Sequence, residues 1–146
     1  MWEKIFCWVR GVLSIGAGVA SYLYGDMNGL LIALFVAIVL DYTTGLFKAA
    51  INHELSSEIG FKGILKKMLI LLVVALAHVV DNCVGSGETW RNIAIVFYIS
   101  NEGISILENC VACGLPVPKK LREILEQMEE NEENEENEEG VVNDGE

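Results

Sequence analysis

The sequence has little positive charge. Ten Lys and Arg residues stand against 21 Asp and Glu, so the formal net charge is −11 over 146 residues. Such a chain repels nucleic acid, and we expect no nucleic-acid partner. The deficit is uneven, because residues 119–146 hold three basic and twelve acidic residues while residues 1–118 hold seven and nine. A nearly neutral body therefore carries a strongly acidic tail.

The sequence also lacks the patterns that mark an enzyme. It has no nucleophile–base arrangement, no P-loop and no dinucleotide fingerprint. Its four cysteines include Cys110 and Cys113, but one CxxC without a second pair or a nearby His is a weak zinc signal. We interpret the cysteines as small packing residues with free thiols. The sequence predicts no enzymatic activity, no catalytic residue, no metal and no cofactor.

No long apolar run is free of charge, although 52% of the residues are hydrophobic and the mean hydropathy is +0.39. Four mostly apolar segments still stand out, at 5–24, 29–50, 64–85 and 93–115. Each approaches the roughly 20 residues that a helix needs to cross a bilayer. The sequence therefore predicts an all-α integral membrane protein with about four transmembrane helices and a disordered acidic C-terminal tail.

The composition changes sharply after residue 118, and this change divides the chain. Residues 1–118 form the predicted transmembrane domain, whose last helix ends before two prolines that cannot continue it. Residues 119–128 place apolar side chains at helical spacing, which predicts a short amphipathic helix. Residues 129–146 contain a repeated Glu-Glu-Asn triplet that buries nothing, so we expect a disordered tail. That tail is either simply solvated or an electrostatic brake on assembly.

Basic residues predict the topology. If all four segments cross the membrane, nine of the ten Lys and Arg residues fall on one side. Positive charge stays cytoplasmic, so both termini and the long connection at 51–63, which carries helix-cap candidates at Ser56 and Ser57, should be cytoplasmic. The predicted cytoplasmic anchors are Lys62, Lys66, Lys67, Lys119 and Lys120.

Each predicted helix carries its polar residues on one face. In the fourth segment Asn101, Glu102, Ser105, Glu108 and Asn109 fall within an arc of roughly 120°. Ionisable groups are costly in lipid, so such faces turn toward a bundle interior or water. The candidates for interior-facing or pore-facing positions are Arg10, Asp41, His78, Asp81, Asn101, Glu102, Ser105 and Glu108.

Polar faces have a plainer explanation as well. They can seal a small bundle through interhelical hydrogen bonds, each worth about 1 kcal/mol. His78 and Asp81, three residues apart, suit a structural pair as well as a proton relay. A single protomer of this size cannot enclose a wide channel. A pore would therefore require a homo-oligomer.

Two segments, 40–81 and 97–121, strongly resemble phage holins of Gram-positive hosts, a group that includes toxin-secretion holins. The resemblance covers nearly all of residues 2–127. The acidic triplet tail departs from the shorter, mixed-charge ends of that family. The matching elements are Asp-Tyr-x-x-Gly at 41–45, Gly-Phe-Lys-Gly at 60–63, His78 with Asp81, Asn-Glu-Gly at 101–103 and Pro-x-Pro-Lys-Lys at 116–120.

The resemblance implies a multi-pass protein of the bacterial host cytoplasmic membrane. Such a protein oligomerises in the lipid bilayer into lesions that release an endolysin or toxin and depolarise the cell, with an antiholin as a regulatory partner. Two other hypotheses stay open: a small ion-coupled channel or carrier subunit, and a soluble or peripheral helical bundle. Aromatic residues near the segment ends, such as Trp8 and Trp90, argue against the last.

Overall fold

The protein is all-helical in the part of the chain that the computed structural model describes, residues 2–128 and 130. Four long helices follow in order, and a fifth, α5, covers residues 119–128. No strand occurs within these described residues, so the predicted all-α class is confirmed. Apart from residue 130, the tail predicted at 129–146 lies outside them. The long helices are α1 (Trp2–Tyr24), α2 (Gly29–Ile51), α3 (Ser57–Val84) and α4 (Thr89–Ala112).

Three of the long helices are long and apolar enough to cross a membrane, namely α1, α2 and α3. The fourth predicted crossing corresponds to α4, which does not reach the same hydropathy. Its 24 residues include Arg91, Glu102 and Glu108, and these charges lower its mean hydropathy. Length and composition therefore support three crossings directly, and a crossing by α4 depends on how its charges are covered.

Side-chain caps begin two of the helices. Asn28 accepts a hydrogen bond from the Leu31 amide at 3.0 Å at the start of α2, and Ser56 accepts one from the Ile59 amide at 3.2 Å at the start of α3. These bonds satisfy amides that have no partner inside the first turn. The connection expected at 51–63 is therefore shorter, because its second half already belongs to α3.

Helices α2, α3 and α4 pack around an apolar core, and α4 makes the larger contacts with the other two. Along each helix the core residues lie between two polar levels: on α3, Ile70 and Val74 separate Lys67 from Asp81. Because the connections are short, successive helices run in opposite directions. The polar residues of the three helices therefore lie at the same two heights along the bundle. The core consists of Leu31, Leu34, Ile38, Ile70, Val74 and Ile95.

Helix α1 stands apart from this three-helix bundle. None of its residues is buried, and its main contact is with α3. The Tyr24 ring at its end meets Phe35 edge-on, with 6.5 Å between ring centroids. Large apolar side chains such as Phe6 and Trp8 are exposed along its length. In the folded chain, α1 therefore offers most of its surface to lipid or to other molecules.

The turn after α1 requires a glycine. Gly25 has φ +71°, in the left-handed region, and a Cβ placed there would lie 2.7 Å from Cε1 of His78. The His78 ring on α3 packs directly against this backbone. The end of α1 is therefore held at the same level as the end of α3.

Helix α5 folds back onto α4. The Leu125 side chain lies against Gly103, where an added Cβ would approach Cδ1 of Leu125 to 2.9 Å. Nη1 of Arg122 lies 3.9 Å from Oε1 of Glu108. The segment predicted to be an amphipathic helix is thus in contact with the C-terminal half of α4.

Candidate functional site

The most prominent polar feature of the bundle is a lysine shared by two acids from two other helices. Lys67 Nζ on α3 lies 2.6 Å from Oδ2 of Asp41 on α2, and it also pairs with Oε2 of Glu102 on α4. All three side chains are nearly buried, with Glu102 only 4% exposed. One ammonium thus connects all three helices of the bundle. We call Asp41, Lys67, Glu102 and Asn109 the Lys67 cluster.

Asn109 completes the cluster from α4. Its Nδ2 donates to Oδ1 of Asp41 at 3.2 Å and to Oγ1 of Thr44 at 3.3 Å. Asp41 is therefore held by an ammonium on one carboxylate oxygen and an amide on the other. Glu102 and Asn109 are seven residues apart, two helical turns, so they lie on the same side of α4.

The Lys67 cluster depends on its one ammonium. Its two carboxylates and one ammonium carry a formal charge of −1 and are largely buried. Removing Lys67 would leave both acids without a cation, and breaking a buried ion pair in this way typically costs about 3–5 kcal/mol. In water the same groups would be solvated at little cost. The arrangement therefore suits both a closed bundle and a surface that faces water.

A cavity of about 140 Å³ adjoins the cluster between α2 and α3. Asp41 and Lys67 line one part of it, and Ser56, at the start of α3, lines another. The Tyr42 ring lies close to Gly60 and Gly63, as a Cβ at Gly63 would meet it at 3.4 Å. The cavity therefore brings the edge of the cluster near the loop that joins α2 and α3.

A second polar cluster lies at the opposite end of the core. Asp81 Oδ2 accepts from the Arg91 amide at 2.8 Å, and Oδ1 accepts from the Trp90 amide at 3.0 Å and from Ser86 Oγ at 2.6 Å. The N-cap residue of α4, Glu88, makes no side-chain cap bond of its own. Asp81 on α3 thus caps α4 from outside. We call Asp81, Ser86, Trp90 and Arg91 the Asp81 cap.

Arg91 extends the Asp81 cap toward the first turn. Its side chain is completely buried, and Nη2 donates to the Asp26 carbonyl at 2.6 Å. Nη1 lies 2.6 Å from Oε1 of Glu88, an ion pair without a well-aligned hydrogen bond. Arg91 therefore connects the turn between α1 and α2 with the start of α4.

His78 and Asp81 make no direct hydrogen bond with each other. Its Nε2 lies 3.1 Å from Nδ2 of Asn82, and its Nδ1 is buried without a hydrogen-bond partner. Each oxygen of Asp81 is bonded elsewhere. The structure therefore assigns His78 to packing against Gly25 and assigns Asp81 to the start of α4.

Exposure changes steadily across the polar face of α4. Glu102 and Asn109 are buried at one edge, Ser105 is half-buried, and Asn101 and Glu108 are exposed at the other edge. On the helical wheel Ser105 lies between the two edges, so the burial follows the rotation of the helix. Only one edge of the predicted face therefore turns into the bundle.

The remaining predicted positions lie at the surface. Arg10 is exposed on α1, and Lys66, Lys119 and Lys120 are exposed as well. Lys62 forms an exposed pair with Glu58 at 2.8 Å. Lys67 differs from the anchor role expected of it, because its ammonium lies inside the bundle with Asp41 and Glu102.

The cysteines do not form a cluster with other metal-binding side chains. Cys110 and Cys113 are half-buried and free, and both line an apolar groove with Phe47 and Leu115. Within the described residues, no group of three or more His, Cys, Asp or Glu side chains could hold a metal ion. Their position in the groove is consistent with a packing role.

Comparisons with known proteins decide the family. The family model for the bacteriophage holin family matches residues 18–130, from the last turns of α1 through α5. This match covers most of the chain and all of both polar clusters. The chain belongs to the bacteriophage holin family.

Relatives of this holin occur in Gram-positive bacteria and their phages. An uncharacterized 14.9 kDa protein in the nagH 3' region of Clostridium perfringens is 44% identical over 128 residues, which cover 86% of this chain and 96% of the relative. The uncharacterized protein Lin0175 of Listeria innocua is 46% identical, over 79% of this chain and 81% of the relative. A probable holin of Bacillus phage phi105 is 34% identical, over 72% and 77%. No solved structure matches.

The interior candidates predicted from the sequence omit three residues that lie inside the bundle of this holin: Lys67, Asn109 and Arg91. Asn109 belongs to the predicted polar face of α4 but is not among those candidates. Signals for two of them were present. Lys67 shares a helical stripe with Ile70 and Val74, and Asn109 follows Glu102 by seven residues. Arg91 gave no comparable signal, because its burial depends on a carbonyl in a distant turn.

Proposed function

We propose that this holin inserts in the host cytoplasmic membrane as a closed protomer and then oligomerises into lesions. The lesions release an endolysin or a toxin and depolarise the cell. Family membership and the relative named as a probable holin support this function. Three helices with the length and apolarity of membrane spans support the location.

The proposed protomer crosses the membrane four times, with both termini in the cytoplasm. Helix α4 can cross the membrane only if its charged side chains are paired. Lys67 forms an ion pair with Glu102, and Asp41 accepts a hydrogen bond from Asn109. The alternating helix directions and the positions of the Lys and Arg residues support the orientation. An antiholin is a further proposed partner.

The Lys67 cluster is the observation that carries the mechanism. Before triggering, the charges pair within one protomer and the apolar sides of the helices face lipid. In the lesion the same charges face water, and hydration replaces the ion pairs that they form with each other in the closed protomer. Two arrangements of similar free energy form a switch, and neighbouring copies bias it toward the open one.

A small ion-coupled channel or carrier remains the alternative function. Buried Asp, Glu and Lys residues at membrane depth are typical of ion pathways, and the cavity beside Asp41 and Lys67 favours access to them. This alternative predicts ion flux without the passage of proteins. The size of the released solute therefore distinguishes the two functions.

The test is expression in bacteria together with a wall hydrolase that has no export signal of its own. We expect abrupt lysis, with a cytoplasmic reporter enzyme in the medium. Depolarisation without release of the hydrolase would favour the channel instead. If the protein is recovered in the membrane fraction but causes neither depolarisation nor release of the hydrolase, both functions are contradicted.

A matched pair of variants links lysis to the cluster. Glu102→Gln removes the ion pair that links α3 to α4 but leaves a side chain that water solvates well, so we expect a weaker closed protomer and earlier lysis. Glu123→Gln removes an equivalent charge from the exposed side of α5 and should leave the timing unchanged. Equal timing of the two variants would argue against a role of the cluster in triggering.

A further inference from the structure

Arg10 is a charged residue within an apolar helix, and it lacks an ion partner among the residues that the structure describes. It lies eight residues into α1, whose neighbouring side chains Val9 and Val12 are exposed. The bundle does not cover it, because α1 packs mainly on α3. A cation at this position requires an anion, water or a lipid headgroup.

Helix α4 offers one accessible acid at a similar depth. Asp41 and Glu102 are enclosed in the Lys67 cluster, and Asp81 is bound by the start of α4. Glu108 is different, because its side chain is 58% exposed and its nearest cation, Arg122, lies 3.9 Å away. Arg122 is also shared with Glu126 at the same distance. Glu108 is thus free to accept a closer partner.

The two charges lie near the same membrane face in the proposed topology. At 1.5 Å per residue, Arg10 is about 12 Å from the start of α1 and Glu108 is about 6 Å from the end of α4. Both of these helix ends are cytoplasmic in that topology. An arginine side chain can extend toward the membrane surface, and its length spans the remaining difference in depth between the two residues.

We propose that Arg10 of one copy pairs with Glu108 of a neighbouring copy, so that α1 docks on the exposed edge of α4. The partner is a second copy of this chain, and charge complementarity between two otherwise exposed residues supports it. The contact is heterologous, since α1 of one copy meets α4 of the next, and these are two different surfaces. It therefore extends into rings or larger arrays. This inference rests on the proposed function and names the contact that assembly would use.

The test uses charge reversal between two different copies. Arg10→Glu places two acids at the contact and Glu108→Arg places two bases. We expect each variant alone to lower the lysis rate more than about tenfold, since like charges at an interface cost several kcal/mol. Both should stay in the membrane fraction. Co-expression of the two variants creates complementary contacts at every interface of an alternating array and should restore lysis.

Controls separate this contact from its alternatives. The double variant Arg10→Glu with Glu123→Arg in one chain should not recover, because Glu123 lies on the exposed side of α5 and the glutamate introduced at position 10 still meets Glu108 at the contact. The double variant Arg10→Glu with Glu108→Arg in one chain should lyse like the original protein. Recovery in the double variant without recovery on co-expression would mean that the pair forms within one chain, and it would overturn the inference.

Two further outcomes are decisive. If Arg10→Glu abolishes lysis while Glu108→Arg has no effect, Arg10 binds a lipid phosphate instead and the proposed contact is wrong. If the original protein itself releases no hydrolase, the proposed function fails, whatever the variants do. Lysis by the original protein without any complementation would leave the function intact and contradict only the contact.

Discussion

The two polar clusters of this holin bury carboxylates in different ways. The Asp81 cap holds one acid with two backbone amides and a hydroxyl from residues only five to ten positions away. The Lys67 cluster holds two acids with one ammonium and one side-chain amide, across separations of up to 68 residues. The cap is local and needs no second charge. The Lys67 cluster joins three helices through one side chain, so it separates as a unit.

The difference predicts which end of the bundle would open first in the proposed lesion. Backbone amides at the start of α4 need a hydrogen-bond acceptor in any arrangement of the helices. Exposure to water therefore gives the Asp81 cap little additional solvation energy. The charges of the Lys67 cluster gain solvation when the helices part. We therefore expect opening to start at the Lys67 cluster, while the Asp81 cap keeps α3 and α4 together.

The largest effect is expected when Lys67 is replaced. Lys67→Met leaves Asp41 and Glu102 buried without a cation, and we expect the free energy of unfolding to fall by about 3–5 kcal/mol. Denaturant titration of the protein in detergent micelles measures it. Lys66→Met, at the exposed neighbouring position, is the control and should change little. Similar losses from both variants would contradict the special role of Lys67.

A smaller loss is expected at the Asp81 cap. Asp81→Ala removes the acceptor for the Trp90 and Arg91 amides, which should cost about 1–2 kcal/mol, as for other helix caps. Hydrogen exchange should speed up at the start of α4 and stay unchanged at Asn109. Faster exchange throughout α4 would show that the Asp81 cap stabilises the whole bundle and is not local.

The turn that contacts His78 provides a third comparison. Gly25→Ala places a Cβ at positive φ and against the His78 ring, and we expect a loss of about 1 kcal/mol. Gly85→Ala has the same backbone strain without a nearby atom within 4 Å. The difference between the two variants measures the contact with His78. Equal losses would mean that the ring simply moves aside.

The smallest effect is expected at the neutral member of the Lys67 cluster. Asn109→Ala removes two hydrogen bonds, to Asp41 and Thr44. Both are long, at 3.2 and 3.3 Å, so together they should cost about as much as one usual bond between membrane helices, about 0.6 kcal/mol. Unfolding in micelles again measures the effect. A loss as large as that of Lys67→Met would show that the amide, and not the ammonium, holds the three helices.

Much of the fold was predictable from local patterns. The apolar segments, the break between the first two of them and the Ser56 cap each depend on neighbouring residues. The start of α3 was placed too late, because polar residues after Ser57 resembled a linker although the Ser56 cap already begins the helix there. Of the polar positions that are buried in the structure, Asp41, Asp81 and Glu102 were among the predicted candidates, and Lys67 was assigned to the membrane surface.

Periodicity and composition alone were sufficient for the helical class, the polar faces and the family resemblance, because each is a property of consecutive residues. Only the tertiary structure showed that Lys67 binds both Asp41 and Glu102, that Asp81 caps α4, and that one edge of the α4 polar face stays exposed. These facts depend on how each helix is rotated and shifted against its neighbours, whose contacting residues lie up to 68 positions away in sequence. Spacing within one helix carries no information about that rotation.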